Sequence, residues 1–229
     1  MGETAQEVFE FRGVDNLVYA EVLTDTDSPE GYTTGEVKML APVAEIGKTT
    51  ETSSEAKYYD NKPMLTVDSE GSDTVTITCA PLTLETQADV TGKTFDPETG
   101  MMIDGERTKK YFAVGYRTKG TDGKYRYVWR LKGSFGIPDE TNATENEGTD
   151  TNNMQLTYTG ISTTHKFEKD GKSAKAVVVD ERYGKTDLST FFNTVQTPDT
   201  VTPKSSVKEM SVASAKSTNK NVSELDTKK

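Results

Sequence analysis

The sequence predicts a mainly β fold with a single short helix, and three observations carry that expectation. Apolar and polar residues alternate at period two in successive segments of the chain before Asn193. Clusters of Gly, Asp, Asn and Pro separate these segments at short intervals, as turns do. Only LTLETQADVTG has the spacing of a helix and a glycine placed to stop it.

In chain order, NLVYAEVLT (16–24) reads as a strand and DTDSPEG as the turn that ends it. YTTGEVKML and APVAEIGKTTE read as further strands. The polar run TSSEAKYYDNKP has no clear period and reads as a long loop or a protruding hairpin. SDTVTITCA (72–80) puts Val75, Ile77 and Cys79 on one face. In the helix that follows, Leu84 and Ala88 share a side and Gly92 supplies the left-handed stop. TFDPETGMMIDGE reads as a tight turn between short extended pieces.

The segment TDGKYRYVWRLKGSF (121–135) alternates most clearly. Tyr125, Tyr127, Trp129 and Leu131 fall on one face, and Arg126, Val128, Arg130 and Lys132 on the other. With KKYFAVGYRTKG before it, and Asp122 and Gly123 as the turn, it forms a hairpin. Residues 111–135 hold seven of the chain's nineteen aromatics, so this hairpin is the expected centre of the core. Tyr19, Val75, Ile77, Cys79, Tyr125, Tyr127, Trp129 and Leu131 are its expected members. PDETNATENEGTDTNN (138–153), with five acids and no basic residue, reads as a solvated loop. MQLTYTGIST and AKAVVVDE are the last strands, the second with an apolar run that predicts burial on both faces. DLSTFFNTV reads as one or two helical turns.

Of 229 residues, 32% are apolar, so part of the chain is expected to lie outside the core. No aromatic residue occurs from Asn193 to Lys229, where Ser, Thr, Lys, Asn and Pro dominate. The expected organisation is one β domain over residues 1–192 and a polar, flexible arm over 193–229, of which residues 197–229 are expected to be dispensable for folding. Six lysines and four acids give residues 197–229 a charge of +2, which leaves −12 of the net −10 on residues 1–196. Such a body repels a phosphate backbone, so general nucleic-acid binding is not expected.

One cysteine excludes an intramolecular disulfide, and in TVTITCA it reads as an inert, inward-facing residue. The start, MGETAQEVFEFRG, has acids where a signal peptide carries positive charge, and no apolar run approaches a membrane span of about 18 residues. A soluble protein made in the cytoplasm is expected, without membrane insertion of its own.

No catalytic, cofactor or metal constellation emerges. His165, the lone histidine, sits at a strand end and reads as structural. No serine lies in a G-x-S-x-G elbow. One His and one Cys cannot build a zinc centre. The adjacent acids Asp139–Glu140 and Asp180–Glu181 point opposite ways in a strand and read as surface charge rather than a glycosidase pair. DTDSPEGYTTGE has acids at the first, third and twelfth EF-hand positions, but Pro29 and Glu30 take the fifth and sixth, where the sixth requires glycine. The GK[ST] triplets at Gly47, Gly92, Gly171 and Gly184 lack the upstream glycine of a phosphate loop. No enzyme is expected and no cofactor. A structural or binding role remains.

Five phrases in order are more specific: GVDNLVYAEVLTD, YTTGEVKMLAPVAEI, the YYDN tract, TVTITCAPLTLETQADVTGKT, and YFAVGYRTKGTDGKYRYVWRLKGSF. Together, over roughly residues 12–185, they resemble the major tail protein of long-tailed bacteriophages of Gram-positive hosts, a body of ordinary domain size. The matching positions are Asn16, Leu17, Tyr19 and Ala20; Leu40, Ala41 and Pro42; and Gly115, Lys124, Tyr125, Tyr127, Trp129, Lys132 and Gly133.

The resemblance implies a β-sandwich or barrel-like tail tube fold with one flanking helix. Its subunits form hexameric rings that stack into a hollow tube, through which DNA passes transiently and non-specifically. The implied partners are further copies of the chain and the tape measure, distal tail and terminator proteins; the implied location is the virion tail, and the host cytoplasm during assembly. Tyr58, Tyr59, Asp60 and Asn61 are expected to reach a neighbouring ring, and the outward Arg126, Arg130 and Lys132 to pair with an acidic neighbour. A tail terminator or an inner tube protein would share this fold. From a different class, an acidic β domain with exposed aromatics that binds carbohydrate or a receptor fits the composition as well.

Overall fold

Strand pairing across long sequence separations organises the chain. The computed structural model describes residues 8–28, 31–139 and 153–204. In chain order these form β1 (Phe11–Asp25), β2 (Tyr32–Thr34), β3 (Lys38–Met39), β4 (Val43–Tyr59), β5 (Lys62–Cys79), α1 (Leu84–Thr91), β6 (Thr94–Asp96), β7 (Met101–Ile103), β8 (Phe112–Gly120), β9 (Tyr125–Phe135), β10 (Met154–Gly160) and β11 (Ala176–Asp180). One antiparallel sheet runs β2-β1-β8-β9-β10-β5-β4, with β3 added to β1 and β11 to β9, while β6 and β7 make a separate ribbon. The fold is mainly β with one helix, as its alternation predicts.

The sheet forks at β9. Arg126–Arg130 pair with β11 and Gly133–Phe135 with β10, while β8 lines the other side of the strand. The β10-β5-β4 branch curls back until β4 lies against β1. Leu17, Tyr19, Val75, Ile77, Cys79, Val114, Leu156 and Tyr158 fill the concavity, and Val90 of α1 packs with them. Val18, Ala20, Ala113, Tyr127, Trp129 and Leu131 point to the opposite face, where Phe167, Phe191 and Val195 cover them. Successive residues 17–20 are therefore all buried, and the sheet is sandwich-like, with no wet face at its centre.

Two glycines permit this packing. A Cβ on Gly115 would meet the Trp129 ring at 3.0 Å, and one on Gly133 would meet the Tyr158 ring at 2.3 Å. Both positions need a bare backbone because an aromatic ring lies directly over it.

Several local expectations change. Of the two readings of the run 52–63, the protruding hairpin is the one found: it is the distal part of the β4–β5 hairpin, in which Thr52–Tyr59 pair with Lys62–Glu70 across one register shift after Lys57. Helix α1 ends at Gly92, φ 72°, as its sequence predicts, and its start is capped by the Thr83 hydroxyl, which accepts from Thr86 N–H at 3.2 Å. Its docked side, however, is Gln87, Ala88, Val90 and Thr91; Leu84 is 48% exposed, while Leu82, before the cap, is buried. Strand β11 is half-buried on one side only: Val177 and Val179 pack on the Trp129 cluster, while Val178 on the other side is exposed. Residues 188–193 form tight i to i+3 turns, not α-helix.

Nor does the body stop at residue 192. Val195 and Thr197 are buried, the Asp199 carboxylate accepts from the N–H groups of Glu168 and Lys169, and Lys204 N–H donates to the Lys185 carbonyl. A hydrophobic residue every few positions suffices to dock a polar strap when its main chain finds partners. Of the expected acidic loop, Glu140–Asn152 lies outside the described residues, as does the expected arm beyond Lys204.

Candidate assembly surface

The β4–β5 hairpin extends well beyond the sheet. From Glu51 to Gly71 every residue is exposed except Lys57, which is half-buried; at the base Lys175 of the body donates to Glu70 and to the Gly71 carbonyl. Nine residues of extended strand from Glu51 to Tyr59 span about 30 Å. The tip, Tyr59-Asp60-Asn61-Lys62, turns through two left-handed residues, Asp60 at φ 49° and Asn61 at φ 61°. Asp and Asn tolerate that conformation best among non-glycine residues, and paired positive φ values match the twist of a two-residue hairpin.

Tyr58 and Tyr59 flank this tip and are 67% and 58% exposed. Farther down, Met64, Leu65 and Val67 are also exposed, apolar residues that sequence reasoning passed over because no core follows from their alternation. Leu65 pairs with Lys57 and Val67 with Glu55, so one face carries two aliphatic groups beside the Lys57–Glu55 ion pair at 2.6 Å. At the base, two residues on β5, Gly71 and Ser72, oppose Glu51 alone, and this bulge separates the arm from the buried part of the strand.

The three cations assigned to an outward face behave otherwise. Arg126 is partly exposed and donates to Asp180, 3.0 Å away. Arg130 is 8% exposed and meets Asp73, itself 2% exposed, at 2.6 Å, with Tyr116 Oη at 3.4 Å. Thr50 donates to the other Asp73 oxygen at 2.9 Å, which Lys175 approaches at 3.7 Å, while Lys48 lies 3.6 Å from the oxygen that Arg130 bonds. Lys132 donates to Asp25 inside a clamp. Arg130 and Lys132 are thus internal, and the interface role expected of them is withdrawn. Alternation holds from Tyr125 to Leu131, but Leu131 and Lys132 together oppose Ala113 in a bulge, after which Phe135 joins the face of Val128. On that face Arg130 is enclosed by the curled sheet instead of facing solvent.

The Asp25 clamp explains the acidic turn that mimics a calcium loop. Its carboxylate accepts from the N–H groups of Thr164 (2.8 Å) and His165 (2.9 Å) as well as from Lys132. Burial pushes this carboxyl up, but those donors outweigh burial and hold it below the usual carboxylate range. His165 in turn places Nδ1 3.2 Å from the Thr26 carbonyl and its ring edge-on to Phe167. A second anchor lies across the sheet, where Asp89 of α1 accepts from Tyr19 (3.0 Å), Lys110 (3.1 Å) and Lys38 (3.2 Å). Burial raises the Asp89 carboxyl, and the three hydrogen bonds overcome that and depress it.

Of the expected core residues, Tyr19, Val75, Ile77, Cys79, Tyr127, Trp129 and Leu131 are buried. Tyr125 is half-buried at the start of β9, where the Arg117 guanidinium stacks 4.3 Å from its ring centre. Burial pushes the Cys79 thiol up, away from the reactive thiolate form. Among the described residues no helix is long and apolar enough to cross a membrane, and no group of three or more His, Cys, Asp or Glu side chains is placed to hold a metal ion. Neither a family model nor a curated protein matches this chain.

Proposed function

We propose that the chain is a structural subunit of a phage tail tube, self-assembling into stacked rings around a channel for DNA. The observation that carries this reading is the β4–β5 arm. A two-stranded ribbon exposed on both faces is at best marginally stable in water. This one also presents Tyr58, Tyr59, Leu65 and Val67 to solvent, which favours an arm that is completed by another molecule. A neighbouring ring supplies such a surface, and the ordered likeness of five sequence phrases to tail tube proteins points the same way. The acidic body suits a conduit, since like charge keeps DNA from adhering to its wall.

Negative-stain microscopy of the concentrated protein tests this. Rings or tubes with a central hole are expected. Discrete particles without a hole, together with binding to a glycan array, would instead identify a carbohydrate-binding domain.

A further inference from the structure

Strand β11 is an edge strand beside a groove. Its inner side pairs with β9 from Ala176 to Asp180, and just before it Leu131 N–H donates to the Lys175 carbonyl at 2.9 Å. Antiparallel pairing alternates, so Val177 and Val179 turn their main-chain groups toward β9 while Ala176 and Val178 turn theirs away. No described residue hydrogen-bonds to that outward main chain of Ala176 or Val178, and no strand pairs with it. The Val178 side chain is 54% exposed. Beside this edge runs a groove of about 640 Å³, whose apolar lining includes Val178, Tyr183, Pro198 and Val201.

The groove is also cationic within an acidic protein. Arg126, Lys169 and Lys185 line it, and the lone acid among its lining residues, Asp180, already accepts hydrogen bonds from Arg126 and Arg182. The chain's own continuation past Lys204 is the wrong complement, because its five lysines and three acids make residues 205–229 basic.

We propose that β11 binds an extended segment of another protein in which acidic and apolar residues alternate, added as a strand to the free edge. Outward N–H and C=O groups of Ala176 and Val178 hold its main chain. The apolar side chains settle against Val178 and Val201, and the acidic ones meet Lys169 and Lys185. Main-chain bonding gives affinity in this mode, and the flanking charges select the sequence. The inference rests on this edge and its charge, independently of the tail tube reading.

The probe is a fluorescein-labelled peptide, EVEVEVE, with KVKVKVK as its counterpart, each titrated with the full chain by fluorescence anisotropy. The acidic peptide is expected to bind, to weaken about tenfold between low and high salt, and to outcompete the basic one. Val178→Pro removes an outward N–H and no bond to β9, a position where edge strands accept proline. It is expected to reduce binding about tenfold or more, as is the Lys169→Glu/Lys185→Glu pair, which decides the matter should the proline variant melt early. Equal binding of the two peptides, or binding unchanged in these variants, overturns the proposal. So does a Val178→Pro protein that keeps the peptide but loses self-association in sedimentation, because the edge then belongs to a second copy of the chain.

Discussion

Arg130 and Asp73 meet at 2.6 Å, each less than a tenth exposed, and this pair joins β9 to β5 at the point where the arm leaves the sheet. Arg130→Met leaves the Asp73 carboxylate buried with Lys48 and Lys175 at 3.6 and 3.7 Å as its remaining charged partners. A loss of about 3 kcal/mol in urea unfolding is expected. The double variant Arg130→Met/Asp73→Leu is expected to recover most of it, since no buried charge then lacks its partner. Recovery that fails would mean that the pair's worth lies in its attraction and not in avoiding an orphaned charge.

Trp129 is fully buried, and its indole N–H donates to the Phe191 carbonyl at 3.0 Å. Trp129→Ala both empties the space between the sheet and the 188–197 strap and leaves that carbonyl unpaired. Destabilisation of about 3 to 5 kcal/mol is expected, read as a lower melting temperature.

Acid should unfold the protein through its clamps. The folded-state carboxyls of Asp25 and Asp89 are held below the unfolded value of about 3.9, so their contribution is complete above that value. It is lost as pH falls from there through the folded-state values. Unfolding free energy measured against pH is expected to fall below about pH 4, and Asp25→Asn to flatten that limb. An unaltered acid limb in Asp25→Asn would remove Asp25 from the account.

The strap can be separated from the rest by truncation. Ending the chain at Asn193 discards Val195 from the Trp129 cluster and the Asp199 carboxylate from two N–H groups, whereas ending it at Lys204 keeps both. The shorter chain is expected to be less stable by about 2 to 3 kcal/mol in urea unfolding. Equal stability would mean that the strap lies on the body without contributing to it.

Removing the arm should separate folding from assembly. Thr52 pairs with Glu70, so Asn-Gly in place of Ser53–Ser69 closes the hairpin with a two-residue turn. The melting temperature is expected to stay within a few degrees of the parent's, because the removed residues are exposed except for the half-buried Lys57 and the Lys175 contacts to Glu70 and Gly71 are kept. Rings or tubes, if the parent forms them, are expected to be lost; tubes that persist would deny the arm its role.

The sequence by itself determined what is local. Period-two alternation set the strands and the dry side of β9, Asp122-Gly123 set a hairpin, and Gly92 ended the helix. Each of those signals lies within a few residues of what it specifies, so no partner strand has to be known. Only the tertiary structure decided which polar residues are inside. Arg130 and Lys132 look like a solvent face until β5 brings Asp73 to one and the β1 end brings Asp25 to the other, across 57 and 107 residues of chain. The exposed length of the arm, the fork at β9 and the docking of residues 193–204 have the same origin. They depend on which strands meet and how far the sheet curls, and that is set by long-range pairing and burial summed over the whole core.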